Sequence, residues 1–448
     1  MNSQTASTFN YPSTDAPQSQ AAIQLTQDLI RIPSLTAITP DLMPAAKSSL
    51  DFLEGYLSSY GASCHRMEFE GGNEKWGYPV DNLYAEWAMD GAEQHLCFMG
   101  HTDVVAPGDH SLWSAEPFSG DVIDDWIYGR GATDMKGAVA TFCVAAARLV
   151  SQGKIPPVHI SLIITSDEEW VAANGTIKVL EWMSQNNRKP DAILIGEPSS
   201  SDVFGSHIKV GRRGSLCGTL KVPGTQGHAA YKDLFDNPNR ALSLANTLLN
   251  AHSWDNNIPH FPATNFEIIA QEAGSFSNSS IVPNKAEALW NVRFTPEYTP
   301  ERIDEVIRTL LSEPPEWARS HPDCEGLKKI NVSSHIDTVS MPYYSAPGLF
   351  ASITAEAVEH HTGITPVMDG TGGTTDGRFV HDFFPDAQIV ELGLPEKGGC
   401  PNDVRPSDYG QRGGMHQVDE RCSINDIQKL LLCYQEIIAK FASSTQRK

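Results

Sequence analysis

The chain has 448 residues, enough for two domains and a large core. Asp and Glu number 55 against 33 Lys and Arg, a formal charge of -22. That balance argues against nucleic acid or an anionic membrane as a partner, and it makes clusters of Arg conspicuous, because an acidic protein that binds an anion must gather positive charge at the site.

The first twenty residues are polar, rich in Ser, Thr, Gln and Pro, and carry no Lys or Arg. They lack the charged and apolar regions of a signal peptide, so a disordered tail is expected over 1–20. No apolar run is long enough to span a bilayer, and the expectation is a cytoplasmic protein. The eight cysteines are scattered without a Cys-x-x-Cys pair, which suits reduced thiols better than a disulfide framework.

Helical spacing over 21–32 (Ala22, Leu25, Leu29, Ile32) ends at Pro33, and a second amphipathic helix is predicted over 44–60. Residues 70–80 are Gly-rich and aromatic, a loop. Runs 80–87 and 94–102 read as neighbouring strands, and 121–128 as a hairpin. The Ala- and Val-rich run 135–150 is a helix. Strands follow at 158–165 and 192–195, with a helix at 175–184 between them. Strand and helix in alternation indicate a parallel α/β sheet.

After Gly211-Arg212-Arg213-Gly214 the texture changes. Strands are predicted at 215–222, 265–271 and 286–294, and helices at 238–250 and 300–311, a compact α+β insert. From about 329 the α/β texture returns, with a helix at 348–360, a strand at 388–392 and a last helix at 424–441. The expected organisation is a tail (1–20), a first domain (21–213 with 329–448) and an inserted domain (214–328). Residues 394–414, rich in Gly, Pro and charge, read as a long surface loop.

Strand ends and loops each carry hard or borderline ligands: His101, Asp134, Glu168 with Glu169, Glu197, and His416. Each alone is common in ordinary turns, and acids such as Glu168-Glu169 are frequent at helix starts. Their repetition at the ends of predicted strands is what needs explaining. Two imidazoles and several carboxylates without a thiolate suit a hydrolytic zinc site, and a carboxylate between two ions can hold them about 3.5–4 Å apart. Open α/β sheets hold ligands at that end.

These residues stand in His-Thr-Asp (101–103), Gly-Arg-Gly-Ala-Thr-Asp-Met-Lys-Gly (129–137), Thr-Ser-Asp-Glu-Glu (165–169), Gly-Glu-Pro-Ser-Ser (196–200) and the segment around His416. In that order the chain resembles the di-zinc aminoacylase and carboxypeptidase family. Val-Gly-Arg-Arg-Gly-Ser-Leu (210–216), Gly-His-Ala-Ala-Tyr (227–231) and Thr-Gly-Gly-Thr-Thr-Asp-Gly-Arg-Phe (371–379) carry the resemblance further, and it spans nearly all of 23–441. The fold it implies is α/β, a di-zinc exopeptidase-like catalytic domain with an inserted α+β, ferredoxin-like dimerisation domain.

The resemblance implies two zinc ions per subunit, with cobalt able to substitute. His101, Asp134 and Glu197 would hold one, and Asp134, Glu169 and His416 the other, with Asp134 as the bridge. Glu168 would act as general base, since a base must reach the attacking water yet stay free to take its proton. Asp103 would fix the imidazole tautomer of His101. His228 would stabilise the oxyanion from the insert of a partner subunit in a homodimer. The implied reaction is hydrolysis of the amide in an N-succinylated substrate bearing three carboxylates and one ammonium group. Arg212, Arg213, Arg293 and Arg378 would read carboxylates, Gly373 and Thr374 the acyl end, and Tyr231 the other end.

There are departures. The branch this chain most resembles carries Asn-Asn shortly before Ile-Pro, where this chain has Asn278-Ser279-Ser280-Ile281-Val282-Pro283. The 394–414 loop is longer than expected, and Arg412 precedes His416 where a small polar residue is usual. Two other readings are an enzyme of the same chemistry acting on acetylated amines or dipeptides, and a non-catalytic metal-dependent binding protein. Retention of Glu168 beside the ligands argues against the last.

Overall fold

The computed structural model describes Phe9 and residues 11–36, 42–70, 79–255, 258–397 and 412–444. It divides into two compact units. The first comprises Met1–Val210, Ser345–Asp369 and Thr375–Lys448; the second comprises Gly211–Tyr344 and Gly370–Thr374.

An eight-stranded mixed sheet carries the first unit. In chain order its strands are β1 (Ser63–Phe69), β2 (Val80–Ala88), β3 (His95–His101), β4 (His159–Thr165), β5 (Ala192–Ile195), β6 (His207–Lys209), β7 (Val367–Asp369) and β8 (Gln388–Glu391). Their spatial order is β1-β2-β4-β3-β5-β8-β6-β7. The inner strands β4, β3, β5 and β8 run parallel. Their central residues are mainly apolar because both faces are covered; β5 is apolar and buried at every position. β2 and β3 are not neighbours, as their closeness in sequence suggested. The more apolar β4 lies between them and pairs with both, antiparallel to β2.

The longer helices described in this unit are α1 (Gln18–Arg31), α2 (Met43–Ser59), α3 (Gly137–Gln152), α4 (Thr176–Gln185), α5 (Leu349–Thr362) and α6 (Ile424–Ser443). α3 is central, buried from Gly137 through Arg148 and packed against α1 and α6. It is apolar all round, as an enclosed helix must be. The described part of the N-terminal tail is ordered, contrary to the expectation for 1–20. Tyr11 packs on Phe52 and Tyr56, and Arg148 donates to the carbonyls of Ser13 and Ala16. The aromatic residues of this otherwise polar stretch supply the anchorage. Of the expected 394–414 loop, residues 398–411 lie outside the described residues; at its base Met415 N–H donates to the Glu396 carbonyl at 2.8 Å.

The second unit holds a four-stranded antiparallel sheet in the spatial order Asn265–Glu272, Lys285–Phe294, Gly214–Pro223, Asn331–Ser334. With helices Pro238–Asn250 and Pro300–Ser312 the elements follow as β-α-β-β-α-β, the ferredoxin-like arrangement. Gly214–Pro223 and Lys285–Phe294 alternate buried and exposed residues, because one face meets the helices and the other does not. Leu220, Leu248, Phe266, Trp290, Val292 and Ile307 form the core between them. Asn237 and Thr299 cap the two helices, each followed by Pro. The unit reaches Tyr344, beyond the 214–328 expected, because the short polar strand Asn331–Ser334 joins this sheet and Tyr343 pairs with Arg212. No described helix is long and apolar enough to cross a membrane.

Candidate metal centre

The parallel strands deliver their acids and imidazoles at one end. His101 is the last residue of β3, Glu168 and Glu169 follow β4, and Glu197 follows β5. Asp134 lies in an irregular turn, Ala132–Lys136, that leads into α3. His416 comes from the segment before α6. Gly100 and Gly196 precede His101 and Glu197, and a Cβ on either would stand 2.8 or 2.6 Å from the Met135 methyl. Lacking side chains there, both strand ends close around the residue that follows Asp134.

His101 Nε2 lies 3.2 Å from Asp134 Oδ1 and 3.6 Å from Glu197 Oε1. His416 Nε2 lies 3.4 Å from Asp134 Oδ2 and 3.0 Å from Glu169 Oε1. The two oxygens of Asp134 thus face different imidazoles, the disposition of a bridging carboxylate. Ligands about 2.0–2.1 Å from a tetrahedral zinc stand roughly 3.3 Å from one another, so these separations suit a shared pair of ions. The ligand atoms of His101, Glu168 and Glu197 also lie within 4.8 Å of each other. Elsewhere, His360 and His361 both reach Glu436 Oε2 at 2.7 Å, which is hydrogen-bond spacing and too close for ligands around one ion.

The electrostatics are those of a cation site. Burial opposes a charged His101, yet Asp134, Glu197 and Asp103 together hold its pKa well above the ordinary imidazole value. Hydrogen bonds to Asp134 and Glu169 raise His416 to about 10. Burial alone would raise Asp134, but the two imidazoles hold it below the usual carboxylate range. Burial lifts Glu168, and the nearby Glu197 and Asp376 carboxylates lift it further. Ligation requires neutral imidazoles, so metal uptake here exchanges protons for ions.

Asp103 takes a different part from the one expected. Its backbone carbonyl, 2.9 Å from His101 Nδ1, orients the imidazole, while its carboxylate is 3.6 Å away. That carboxylate instead accepts the N–H groups of Glu168 and Glu169 at 3.3 and 3.1 Å. It fixes the turn that aims the two glutamates.

Of the expected substrate contacts, Arg378 is in the first unit, largely buried, 3.4 Å from Asp376 and over the Phe379 ring. The others belong to the second unit. Arg212 is buried and donates to the Thr371 carbonyl at 2.9 Å, beside Gly373 and Thr374 in the Gly370–Thr374 segment. Arg213 donates to the Ala263 carbonyl and Asn265 Oδ1. Burial lowers the pKa of Arg213, and the adjacent charge of Arg293 lowers it further. His228 and Tyr231 are exposed, with rings 5.5 Å apart. The Ser279-Ser280 departure falls beside them: Ala229 N–H donates to the Ser280 carbonyl, and His228 pairs with Ile281.

Sequence reasoning gave no role to Glu420 or Asp376. Glu420 is wholly buried beneath the Asp134 turn, and its place four residues after His416 was the available signal. Asp376 is buried beside Arg378, and only the folded chain brings it near Glu168.

Residues 97–440 match the model of peptidase family M20/M25/M40. The chain is 38% identical over 425 residues to a succinyl-diaminopimelate desuccinylase of Rhodospirillum centenum, covering 95% of this chain and 98% of the relative. It is 37% identical over 418 residues to one of Parvibaculum lavamentivorans, covering 93% and 94%. Among solved structures, an M20 family metallo-carboxypeptidase from Sulfolobus solfataricus aligns with a TM-score of 0.69 at 18% identity, over 94% of this chain and 99% of the other. Human carnosine dipeptidase 1 aligns with a TM-score of 0.69 at 16% identity, over 94% and 97%. At those identities the likeness shows the fold.

Proposed function

The chain belongs to peptidase family M20/M25/M40, and from that premise we propose that it hydrolyses N-succinyl-LL-2,6-diaminopimelate to succinate and LL-2,6-diaminopimelate. It is a metal-dependent amide hydrolase of lysine and diaminopimelate biosynthesis. The observation that carries this reading is the convergence of two imidazoles and the Asp134 bridge at the strand ends, in a chain alike over nearly its whole length to enzymes of that name.

We assign His101, Asp134 and Glu197 to one ion and Asp134, Glu169 and His416 to the other. The ions are zinc, with cobalt a functional substitute. What the metal supplies is Lewis acidity, which polarises the scissile carbonyl and makes an attacking water acidic. Glu168 takes the proton from that water and delivers it to the leaving amine. Asp103 keeps Glu168 in reach through the backbone of the glutamate turn. His228 of the partner subunit donates to the developing oxyanion, so the working enzyme is a homodimer paired through its second unit. Arg212, Arg213, Arg293 and Arg378 meet substrate carboxylates, with Gly373 and Thr374 at the succinyl end and Tyr231 at the other. The charge of Arg293 near the part-buried Arg213 supports this, because an anion bound there would offset it. The cytoplasm is the expected compartment.

Steady-state kinetics on one panel of substrates tests the proposal. The zinc-loaded enzyme is expected to favour the succinylated diamine over N-acetylornithine and dipeptides by at least tenfold in kcat/KM, and to lose activity to a chelator. Preference for an acetylated amine would replace the substrate assignment, and full activity after metal removal would end the mechanism.

A further inference from the structure

Glu420 has no place among the ligands, yet it touches both loops that carry them. Its Oε1 accepts the N–H groups of Gly131, Thr133 and Asp134 at 3.1, 3.1 and 3.2 Å. Its Oε2 pairs with Arg130 Nη1 at 2.5 Å, and Arg130 Nη2 donates to the His416 carbonyl at 3.2 Å. Both side chains are buried. Two further bonds run the same way: Gly129 N–H to the Glu420 carbonyl, and Thr133 Oγ1 to the Arg421 carbonyl.

The His416 segment has its own turn bonds, Gly413 N–H to the Val418 carbonyl and Gln417 N–H to the Gly414 carbonyl, but these do not reach the Asp134 turn. The turn at Ala132–Lys136 is irregular at Asp134 and Met135, so its N–H groups converge without helical partners. His416 has φ +61°, a left-handed conformation that non-glycine residues adopt rarely. One carboxylate gathers the N–H groups of the turn, and one guanidinium passes the restraint on to His416. A buried ion pair is weak support for stability in itself. Three backbone donors on one oxygen and a carbonyl on the guanidinium are a geometry directed at the two ligand loops.

We propose that Glu420 and Arg130 are positioning residues that fix the Asp134 turn against the His416 segment, and thereby set the affinity of the ion held by Asp134, Glu169 and His416. The inference rests on the metal-centre assignment above. It distinguishes the two ions: His416 serves only one of them, so loss of the Arg130 bond to His416, with the acceptor of the Asp134 turn kept, weakens that ion selectively.

The test uses the full chain, stripped of metal and titrated with zinc by calorimetry and by chelator competition, alongside thermal melts of the metal-free protein. In Glu420→Gln the amide oxygen still accepts the N–H groups of the turn, but the amide nitrogen faces Arg130, donor against donor. Should that single variant not fold, the double variant Arg130→Met with Glu420→Gln removes the clash and keeps the turn's acceptor. The expected result in the double variant is a folded protein that binds one zinc as the wild type does and the second roughly 10–100-fold more weakly, the range for loss of a residue that orients ligands. A folded double variant with both affinities within threefold of wild type would overturn the proposal. So would Glu420→Gln that melts lower with both affinities intact, since that is a merely structural role. Wild-type protein that takes up no zinc would instead overturn the metal-centre assignment itself.

Discussion

Glu168 and Glu169 are adjacent in the chain but have different surroundings. Glu169 sits 3.0 Å from His416, while the Glu168 carboxyl stands among other acids, in reach of His101 and Glu197 and raised by burial. Their N–H groups share one acceptor, Asp103, so the backbone turns between them and the side chains part. Glu168→Gln, nearly isosteric, is therefore expected to lower kcat by about 10²–10⁴-fold, the usual worth of a general base, with zinc uptake unchanged. Glu169→Gln should weaken zinc binding instead. Paired measurements of kcat and zinc affinity separate the two, and a Glu168→Gln enzyme with wild-type kcat would remove the assigned base. The acids and imidazole that converge from the strand ends were legible in the sequence because His101, Glu168, Glu169 and Glu197 stand where apolar runs stop. The part played by Asp103 was not, because it depends on which of its oxygens, carbonyl or carboxyl, meets the imidazole.

Among the elements, the inner strands announced themselves, since burial on both faces leaves mostly apolar residues between the ends of β3, β4 and β5. β1, β6 and β7 did not: β1 is a half-buried outer strand with polar residues on both faces, and the other two are three residues long. Strand order was also illegible, because pairing across the sheet depends on crossovers rather than on local pattern. At the end of the sheet away from the metal ligands, β3 and β4 begin with His95 and His159, whose rings stack 3.8 Å apart. His95 Nε2 is 2.7 Å from Ser161 Oγ, and His159 Nε2 is 2.9 Å from Glu86, which Arg188 also meets. Burial, then the neighbouring His159, pushes the His95 pKa down to about 3 from 6.5. Between those values the unfolded chain binds a proton that the folded chain refuses. The contribution of His95 to stability is thus whole above pH 6.5 and is lost as pH falls below it. Asp167, raised by burial to about 7, has the opposite slope, so the comparison must be between variants. Urea melts of wild type and His95→Gln from pH 7.5 to 5 should show a shallower decline in the variant, and equal declines would count against this reading.

At the scale of the whole molecule, interruption of one domain by another was legible from the change of texture near residue 214. Its far boundary was not, because the strand that completes the insert, Asn331–Ser334, is too short and polar to show a period. The second unit exposes Ile269, Phe276, Ile281 and Leu289, and Asn265–Glu272 forms one outer strand of its sheet. Exposed apolar residues and an outer strand on one unit favour pairing of two copies through it. Two chains of charge -22 repel each other, and salt screens that repulsion. Sedimentation velocity should therefore find a two-chain species whose dissociation constant falls as salt rises from about 10 to 150 mM. A fully active monomer at all salt concentrations would contradict the shared site.

Met135 leaves one further mark on the chain. Its methyl occupies the room where side chains of residues 100 and 196 would otherwise stand. The ladder holds the main chains bearing His101 and Glu197 side by side, with Gly196 N–H donating to the Met99 carbonyl at 3.1 Å, and the thioether rests over both without a polar contact of its own. A shorter residue there would leave both glycines underpacked together, and a bulkier one would push the Asp134 turn away from both. The tolerance of a charged pocket is in this way delegated to an uncharged shim behind it.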